Sequence, residues 1–358
     1  MASAQNARVG NTTLEFIVPT VYDTLNKSSW VLRRTMSKPK PWNGRLVQEA
    51  ITVTNSTQGQ SFKGIETFTT SVEFAPVVLT WYSTGYAQPV TISQVEKSIN
   101  QTPLGRINLY KASYEFAQNS MSNALGGILY GFGTGNDFDG LGLIVDDGTN
   151  AANYGGLSRT TYTQINCGGS TGIVAASSGV IDLNTMDSAD DAASVSGLLS
   201  ETPGVVSTTR AVWSLYGQLF EPTKMATYNA LGGNIPGGDA GVGDQTGSGT
   251  SLQSGSSNIT YRGKPIIRDD KCTAGVMFFM NESLLDFYSL SIDGLSSVTV
   301  ANQATAGVYD KVPPTAFQWR DLMSPVNQLA QVGIFVVYGN LIHRNPNRNE
   351  KITGITTL

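Results

Sequence analysis

A single long helical pattern, in a chain whose other regular patterns are short, constrains the fold more than any other feature of the sequence. Apolar residues recur every three or four positions from 106 to 129, which places them along one stripe of a helix. The members of this stripe are Ile107, Tyr110, Tyr114, Ala117, Met121, Leu125 and Ile128. Because a helix of about 20 residues spans about 30 Å, we expect the stripe to pack along a core of similar length.

Strand patterns follow in the second half of the chain. The apolar run 332–342 has no polar face, which is typical of a central strand covered on both sides. Residues 261–267 and 275–280 predict two further strands. The hydroxyl side chains of 207–209 predict the start of a short helix over 210–216.

Residues 46–88 predict a long β-hairpin. Val47, Ile51 and Val53 alternate on one face, and a polar turn cluster occupies residues 55–60. The returning half carries further apolar positions, namely Phe62, Ile65, Phe68, Val72 and Phe74. Because an isolated two-stranded hairpin is only marginally stable in water, we expect this one to rest on its own domain or on a neighbouring molecule.

Composition excludes several classes of protein. Hydrophobic residues make up 40% of the 358 residues, enough to bury a core, so the chain is not a disordered protein. Charged residues make up 14%, against the usual level of about 25%. Residues 232–257 form a Gly- and Ser-rich segment that is typical of a mobile loop or linker. An apolar N-terminal segment and a membrane-length apolar run are both missing, so we expect neither secretion nor a membrane span.

Charge is distributed unevenly along the chain. Residues 136–250 carry 3 Lys or Arg against 12 Asp or Glu, whereas residues 1–135 carry 11 against 7. The early basic residues are Arg33, Arg34, Lys38, Lys40 and Arg45, with Trp42 among them. Pro39 and Pro41 disfavour a helix in this segment. We interpret it as an extended basic arm that docks on another protein surface, and a solvated extended segment is the open alternative.

The sequence offers no convincing nucleophile or thiol chemistry. His343 is the one histidine of the chain, and we interpret it as a polar residue at a strand end rather than a member of a triad. Cys167 and Cys272 predict structural thiols in a reducing compartment. Residues 168–172 match a nucleophile elbow around Ser170, but in a chain so rich in Gly and Ser we interpret them as a turn.

Acidic residues offer little more. Residues 137–140 faintly resemble a calcium loop but lack the further oxygen ligands that a real loop needs. Adjacent aspartates at 146–147 and 190–191 point apart in a strand, so we interpret them as solubilising and turn-capping residues. We therefore expect no catalytic residue, no cofactor and no metal. An enzyme that uses these carboxylates, or Ser170 as a nucleophile, is the weaker hypothesis.

The order of these parts resembles a known family. A basic arm, a long hairpin and one long helix precede two short motifs, Phe-Asp-Gly-Leu at 138–141 and Val-Asp-Asp-Gly-Thr at 145–149. An Arg-Gly-x-Pro-Ile-Ile segment at 262–267 and the final apolar strand follow. This layout resembles a tailed-bacteriophage major capsid protein of the Hong Kong 97-like fold, and nearly the whole chain takes part in the resemblance.

The resemblance implies an α+β fold in four parts. These are an N-terminal arm (1–45), an extended loop or E-loop (46–88), a peripheral domain (89–138 plus 326–358) that contains the long spine helix, and an axial domain (139–325). It implies a protein that is not an enzyme but self-assembles, as hexamers and pentamers, into an icosahedral shell around double-stranded DNA. The residues that it implies in contacts between subunits are Arg33, Arg34, Lys38, Lys40, Trp42, Arg45 and Lys63.

Partners and location follow from the same resemblance. It implies a separate scaffolding protein, a portal and non-specific contact with packaged DNA, it leaves a decoration protein open, and it implies no membrane. The protein would be assembled in the bacterial host cytoplasm and reside in the virion capsid. A covalent Lys63–Asn327 cross-link is not expected, because no Asp or Glu lies between Asp321 and Glu350 to activate the lysine. The rival hypothesis is another self-assembling virion protein, such as a tail-tube or decoration subunit.

Overall fold

The computed structural model describes residues 29–36, 39–42, 44–68, 73–100, 109–169, 172–194, 201–219, 260–292, 296–297, 316–326 and 328–357. The first 28 residues, the Gly- and Ser-rich segment 232–257, Lys38, Ile107, Ser170 and Asn327 lie outside the described residues.

Helices and strands are numbered here in chain order. Within the described residues the α-helices are α1 (Trp30–Met36), α2 (Gln94–Asn100), α3 (Leu109–Ile128), α4 (Leu141–Ile144), α5 (Leu183–Ala193) and α6 (Arg210–Leu219). The strands are β1 (Lys40–Pro41), β2 (Leu46–Ile51), β3 (Val77–Tyr82), β4 (Thr84–Ser93), β5 (Asn153–Tyr154), β6 (Leu157–Ser158), β7 (Val174–Ala175), β8 (Val205–Thr208), β9 (Thr260–Tyr261), β10 (Lys264–Arg268), β11 (Met277–Met280), β12 (Leu285–Ser289), β13 (Ser296–Ser297), β14 (Phe317–Met323), β15 (Ala330–His343) and β16 (Glu350–Thr353).

The first sheet is built around β15, as its apolar sequence predicts. One edge of β15 pairs antiparallel with β4, and the other edge pairs antiparallel with β14 and then β12. β1 extends the sheet in parallel beside β12, and β13 extends it beside β14. A strand with neighbours on both edges and packed faces tolerates no polar face, which accounts for the unbroken apolar run.

Helix α3 packs on this sheet through the predicted stripe. Met121 and Leu125 are fully buried, and Ala117 is nearly so. The Tyr114 ring lies 4.6 Å from the Phe335 ring, centroid to centroid, in the central strand. The described part of the stripe therefore confirms the predicted helix and its buried face.

A second sheet has the order β7-β16-β11-β8-β10-β9 and its own apolar core. Helices α5 and α6 contribute Met186, Val212 and Trp213 to that core. The end of the chain returns to this sheet, because β16 pairs antiparallel with β11. The four-part division that the family resemblance implies stays a prediction.

The expected extended arm is wrong for residues 30–36, which form helix α1. Its apolar side chains Val31, Leu32 and Met36 are buried in the first core. One carboxylate oxygen of Asp269 accepts hydrogen bonds from Ser29 Oγ and Trp30 N, both at 2.8 Å, and so caps the first turn. Pro39 and Pro41 disfavour a helix only after α1 has ended, and Lys40–Pro41 is extended there as expected.

The expected continuous strand over 261–267 is also wrong. β9 and β10 are two antiparallel strands joined at Arg262 and Gly263, whose φ values are 46° and 78°. Two successive residues with positive φ make the tight turn that matches the twist of a hairpin. Glycine at the second position removes part of the strain that such a turn imposes.

Asp146 and Asp147 cap turns as expected, whereas Asp190 and Asp191 lie within helix α5, so turn capping is wrong for that pair. Asp146 is also not a solvated residue. Its carboxylate is fully buried, accepts hydrogen bonds from Gly148 N, Asn150 N and Ala151 N, and lies 3.0 Å from Lys351 Nζ. Burial favours the neutral acid, but the hydrogen bonds and the charge of Lys351 outweigh it and hold the pKa of Asp146 below its ordinary value. Sequence reasoning missed this ion pair because its partners are 205 positions apart.

Asp190 is likewise buried and forms ion pairs with Lys264 and Arg262. His343 stands at the end of β15 as expected, and it too is buried. Its Nε2 lies 3.1 Å from Asn281 O, and burial lowers its pKa to about 4. All three buried polar side chains thus have partners inside the chain, as buried polar groups require.

Candidate intersubunit surfaces

The root of the hairpin is fixed to its own chain. β2 and β3 pair from Leu46 opposite Tyr82 to Ile51 opposite Val77. Leu79 and Trp81 are buried, and the Trp81 ring meets the Tyr154 ring edge-on at 5.8 Å. The paired part of the predicted hairpin ends at β3, because residues 84–88 belong to β4 in the first sheet.

The hairpin tip is irregular and carries exposed apolar side chains. The positions predicted as a returning strand lie outside any strand, since residues 52–68 and 73–76 have no regular pairing. Phe62, Ile65, Phe68 and Phe74 are exposed there, and the Ile65 side chain has no cover at all. The Phe62 and Phe68 rings meet edge-on at 5.4 Å, so the tip presents a joined aromatic surface. Val72 lies outside the described residues.

Lys63 lies within this tip and is exposed. Its backbone N donates to the Glu66 carboxylate at 3.1 Å, which stabilises a local turn.

We define the hairpin tip as residues 52–68 and 73–76. Clustered exposed apolar side chains of this kind mark interaction surfaces in folded proteins.

A second exposed apolar surface lies at the far end of the first sheet. Val95 and Ile99, four positions apart on α2, are exposed. Met323 at the end of β14, and Val326 and Leu329 on the connection to β15, are exposed as well. Gln94 N donates to Leu329 O at 3.0 Å, which places the two segments side by side. We call these five side chains the distal patch. The helical spacing of Val95 and Ile99 was the one sequence signal for it.

The basic segment is held partly within the chain. Arg34 lies 2.9 Å from Glu282, and Lys40 lies 2.5 Å from Asp286. Trp42 is buried, and its Nε1 donates to Gly44 O at 3.0 Å. Arg33 and Arg45 are exposed. The implied role of these residues in contacts between subunits stays a prediction.

The two cysteines and the possible metal ligands of the described residues form no metal centre. Cys167 and Cys272 are free and buried, and burial raises the pKa of both thiols. No group of three or more His, Cys, Asp or Glu side chains in the described ranges is placed to hold a metal ion. Nor does that part of the chain contain a helix with the length and apolar character needed to cross a bilayer.

Solved structures with the same architecture are numerous, although no protein-family model and no curated protein matches the chain. A chain in the capsid of cyanophage A-1(L) superposes with a TM-score of 0.68 at 14% identity, over 98% of this chain and 99% of that one. The capsid of a native GTA particle gives 0.58 at 10% identity, covering 98% of both chains. The SrpI encapsulin of Synechococcus elongatus PCC 7942 gives 0.55 at 12% identity, covering 98% and 95%.

Identities this low establish the fold alone, and coverage this complete establishes it for the chain as a whole. The mixture of helices and sheets agrees with the α+β class that the layout implies. The chain therefore has the Hong Kong 97-like capsid fold, as its resemblance to tailed-bacteriophage major capsid proteins predicts.

Proposed function

We propose that this chain is the major capsid protein of a tailed bacteriophage and self-assembles into an icosahedral shell. The observation that carries the proposal is the exposure of apolar side chains on the hairpin tip. Phe62, Ile65, Phe68 and Phe74 are exposed at the end of a hairpin whose paired root packs on its own chain. On a fold that forms capsids in its structural neighbours, a second copy of the chain is the surface that would cover them.

The low charge of the sequence supports the same proposal. Stable protein interfaces bury about 1,200–2,000 Å² and are depleted in charged residues at their centres. Charged residues make up only 14% of this chain. The hairpin tip and the distal patch supply two separate apolar surfaces on one molecule, and two different surfaces allow the head-to-tail contacts that close rings.

The finer features of the proposal are those that the resemblance to tailed-bacteriophage major capsid proteins implies. Hexamers and pentamers would form the shell, double-stranded DNA would be enclosed through non-specific contacts, and a scaffolding protein and a portal would be separate chains. The protein would assemble in the host cytoplasm and remain in the virion. It would not act as an enzyme. Asp146 and Asp190, two of the carboxylates considered for acid–base chemistry, are buried in ion pairs, which supports a structural role.

Removing the apolar surface of the tip tests the proposal. We expect the double variant Phe62→Ser, Ile65→Ser to fold with the wild-type thermal midpoint, because neither side chain is buried, but to stay unassembled. Sedimentation velocity of purified wild-type and variant protein separates the outcomes. If the variant forms particles as well as the wild type does, the hairpin tip is not needed for assembly and this proposal is wrong about it. Open tubes or small oligomers of the wild type would favour the tail-tube or decoration alternative.

A further inference from the structure

Glu49 is the one charged residue on the inward face of the hairpin root. Residues 47, 49 and 51 of β2 share this face with residues 77, 79 and 81 of β3, because directly opposed residues in an antiparallel pair point to the same side. The rest of this face is apolar, and Leu79, directly opposite Glu49, is fully buried. A carboxylate at such a position needs a partner from the body of the chain.

That partner is Arg344, one residue beyond the end of β15. Its Nε lies 3.2 Å from Glu49 Oε1, and Tyr288 Oη donates to the same oxygen at 3.4 Å. Arg344 also lies 3.5 Å from Asp286, which in turn pairs with Lys40 at 2.5 Å. Glu49 thus connects the hairpin to a charge network that spans β1, β12 and the end of the central strand.

The two strands of the hairpin are therefore held in different ways. β3 is held by apolar packing and by the hydrogen bond from Thr80 N to Gly155 O at 2.8 Å. β2 contributes only the partly buried Val47 and Ile51 to this packing and adds the ion pair, whose side chains are partly exposed, 41% for Arg344 and 22% for Glu49. Partly exposed pairs are weak and are screened by salt, so this side of the root is the one that can open.

We propose that the Glu49–Arg344 pair is a latch that sets the direction of the hairpin in the free subunit, before any neighbour is bound. The proposal rests on the proposed function, in which the tip at the far end of this hairpin meets another copy. When both strands of its root are held, the hairpin keeps one orientation and its tip points in one direction. Assembly then loses less conformational freedom, and the competent fraction of subunits is larger.

The experiment compares the full-length wild type with Glu49→Gln, which removes the charge and keeps the side-chain length. In the unassembled protein at low salt, we expect amide hydrogen exchange in residues 46–51 and 77–82 to rise by about two- to fivefold, the range that a partly exposed ion pair supports. The concentration needed for particle formation should rise by at least a similar factor. Both differences should shrink in about 0.5 M salt, because screening weakens the wild-type pair.

Asp191→Asn is the matched control, because it removes one carboxylate from another partly exposed pair, Arg262–Asp191, that does not touch the hairpin. It should leave exchange in the hairpin and the assembly threshold at wild-type values. Unchanged exchange and an unchanged threshold in Glu49→Gln would overturn the latch. A raised threshold with unchanged exchange would also overturn it, since Glu49 would then act in a contact between subunits. A wild type that forms no particles would instead contradict the proposed function, while the exchange comparison still tests the latch.

Discussion

At the scale of single residues, Glu350 lies in an environment that disfavours its charged form. Its side chain is fully buried in β16; Oε1 accepts from Lys351 N at 2.8 Å, and Oε2 has no hydrogen-bond partner among the described residues. A Cβ on Gly168, whose φ is 56°, would collide with Oε2, so glycine is needed there for space as well as for conformation. Burial raises the pKa of Glu350 to about 8.

Glu350→Gln is therefore predicted to stabilise the unassembled chain as pH rises. Between the ordinary pKa of 4.5 and about 8, the folded state keeps a proton that the unfolded state has lost. Wild-type stability should thus fall across this window and level off above it. The variant lacks that loss, so we expect it to gain about 1–3 kcal/mol relative to wild type between pH 5 and pH 8.

Urea denaturation of both proteins at pH 5, 6.5 and 8 measures that gain. A constant difference between variant and wild type at all three pH values would mean that Glu350 ionises in the folded state as it does in the unfolded one. Gly168→Ala provides a second measurement, because it fills the space beside Oε2 and should destabilise the chain at every pH.

At the scale of elements, hydrophobic periodicity predicts the helices and strands whose apolar side chains pack along a continuous face. Helix α3 and strand β15 carry long apolar patterns, and both pack as those patterns predict. Helix α1 was missed because its cap, Asp269, comes from 240 positions away, and no local pattern contains it. The buried pairing of Asp146 with Lys351 was missed for the same reason, since sequence proximity says nothing about which distant charge is adjacent.

Asp269→Asn is predicted to loosen α1. The carboxylate accepts three hydrogen bonds at the start of the helix, from Ser29 Oγ, Trp30 N and Val31 N. Loss of its charge should lower the free energy of unfolding by about 1–2 kcal/mol, the cost of losing a helix cap. Chemical denaturation measures the change, with Asp270→Asn at the exposed neighbouring position as the control. Equal losses in both variants would show that Asp269 has no special role.

The candidate surfaces were only partly predictable from their elements. The hairpin was expected at 46–88, and its apolar tip residues were visible in the sequence as strand positions. Their exposure was not visible, because a phenylalanine in a strand and one in an open tip have the same sequence signature. Met323, Val326 and Leu329 of the distal patch are scattered among polar neighbours, and only the hydrogen bond from Gln94 N to Leu329 O reveals that their segment lies beside α2.

At the scale of the whole molecule, low charge, buried hairpin root and exposed hairpin tip agree with one another. A chain with 14% charged residues keeps few charges for solubility, and it leaves large apolar side chains uncovered at two separate places. Both features are liabilities for a monomer. In the proposed shell they would become contacts between copies, and structural neighbours with this fold are named as capsids.

Negative-stain electron microscopy of the purified wild-type chain tests directly whether it is a shell subunit. For a shell subunit we expect closed, roughly spherical particles of uniform size, with hexameric and pentameric units visible in class averages. A protein that remains monomeric at concentrations where its fold is intact, or that forms only open tubes, would contradict this expectation.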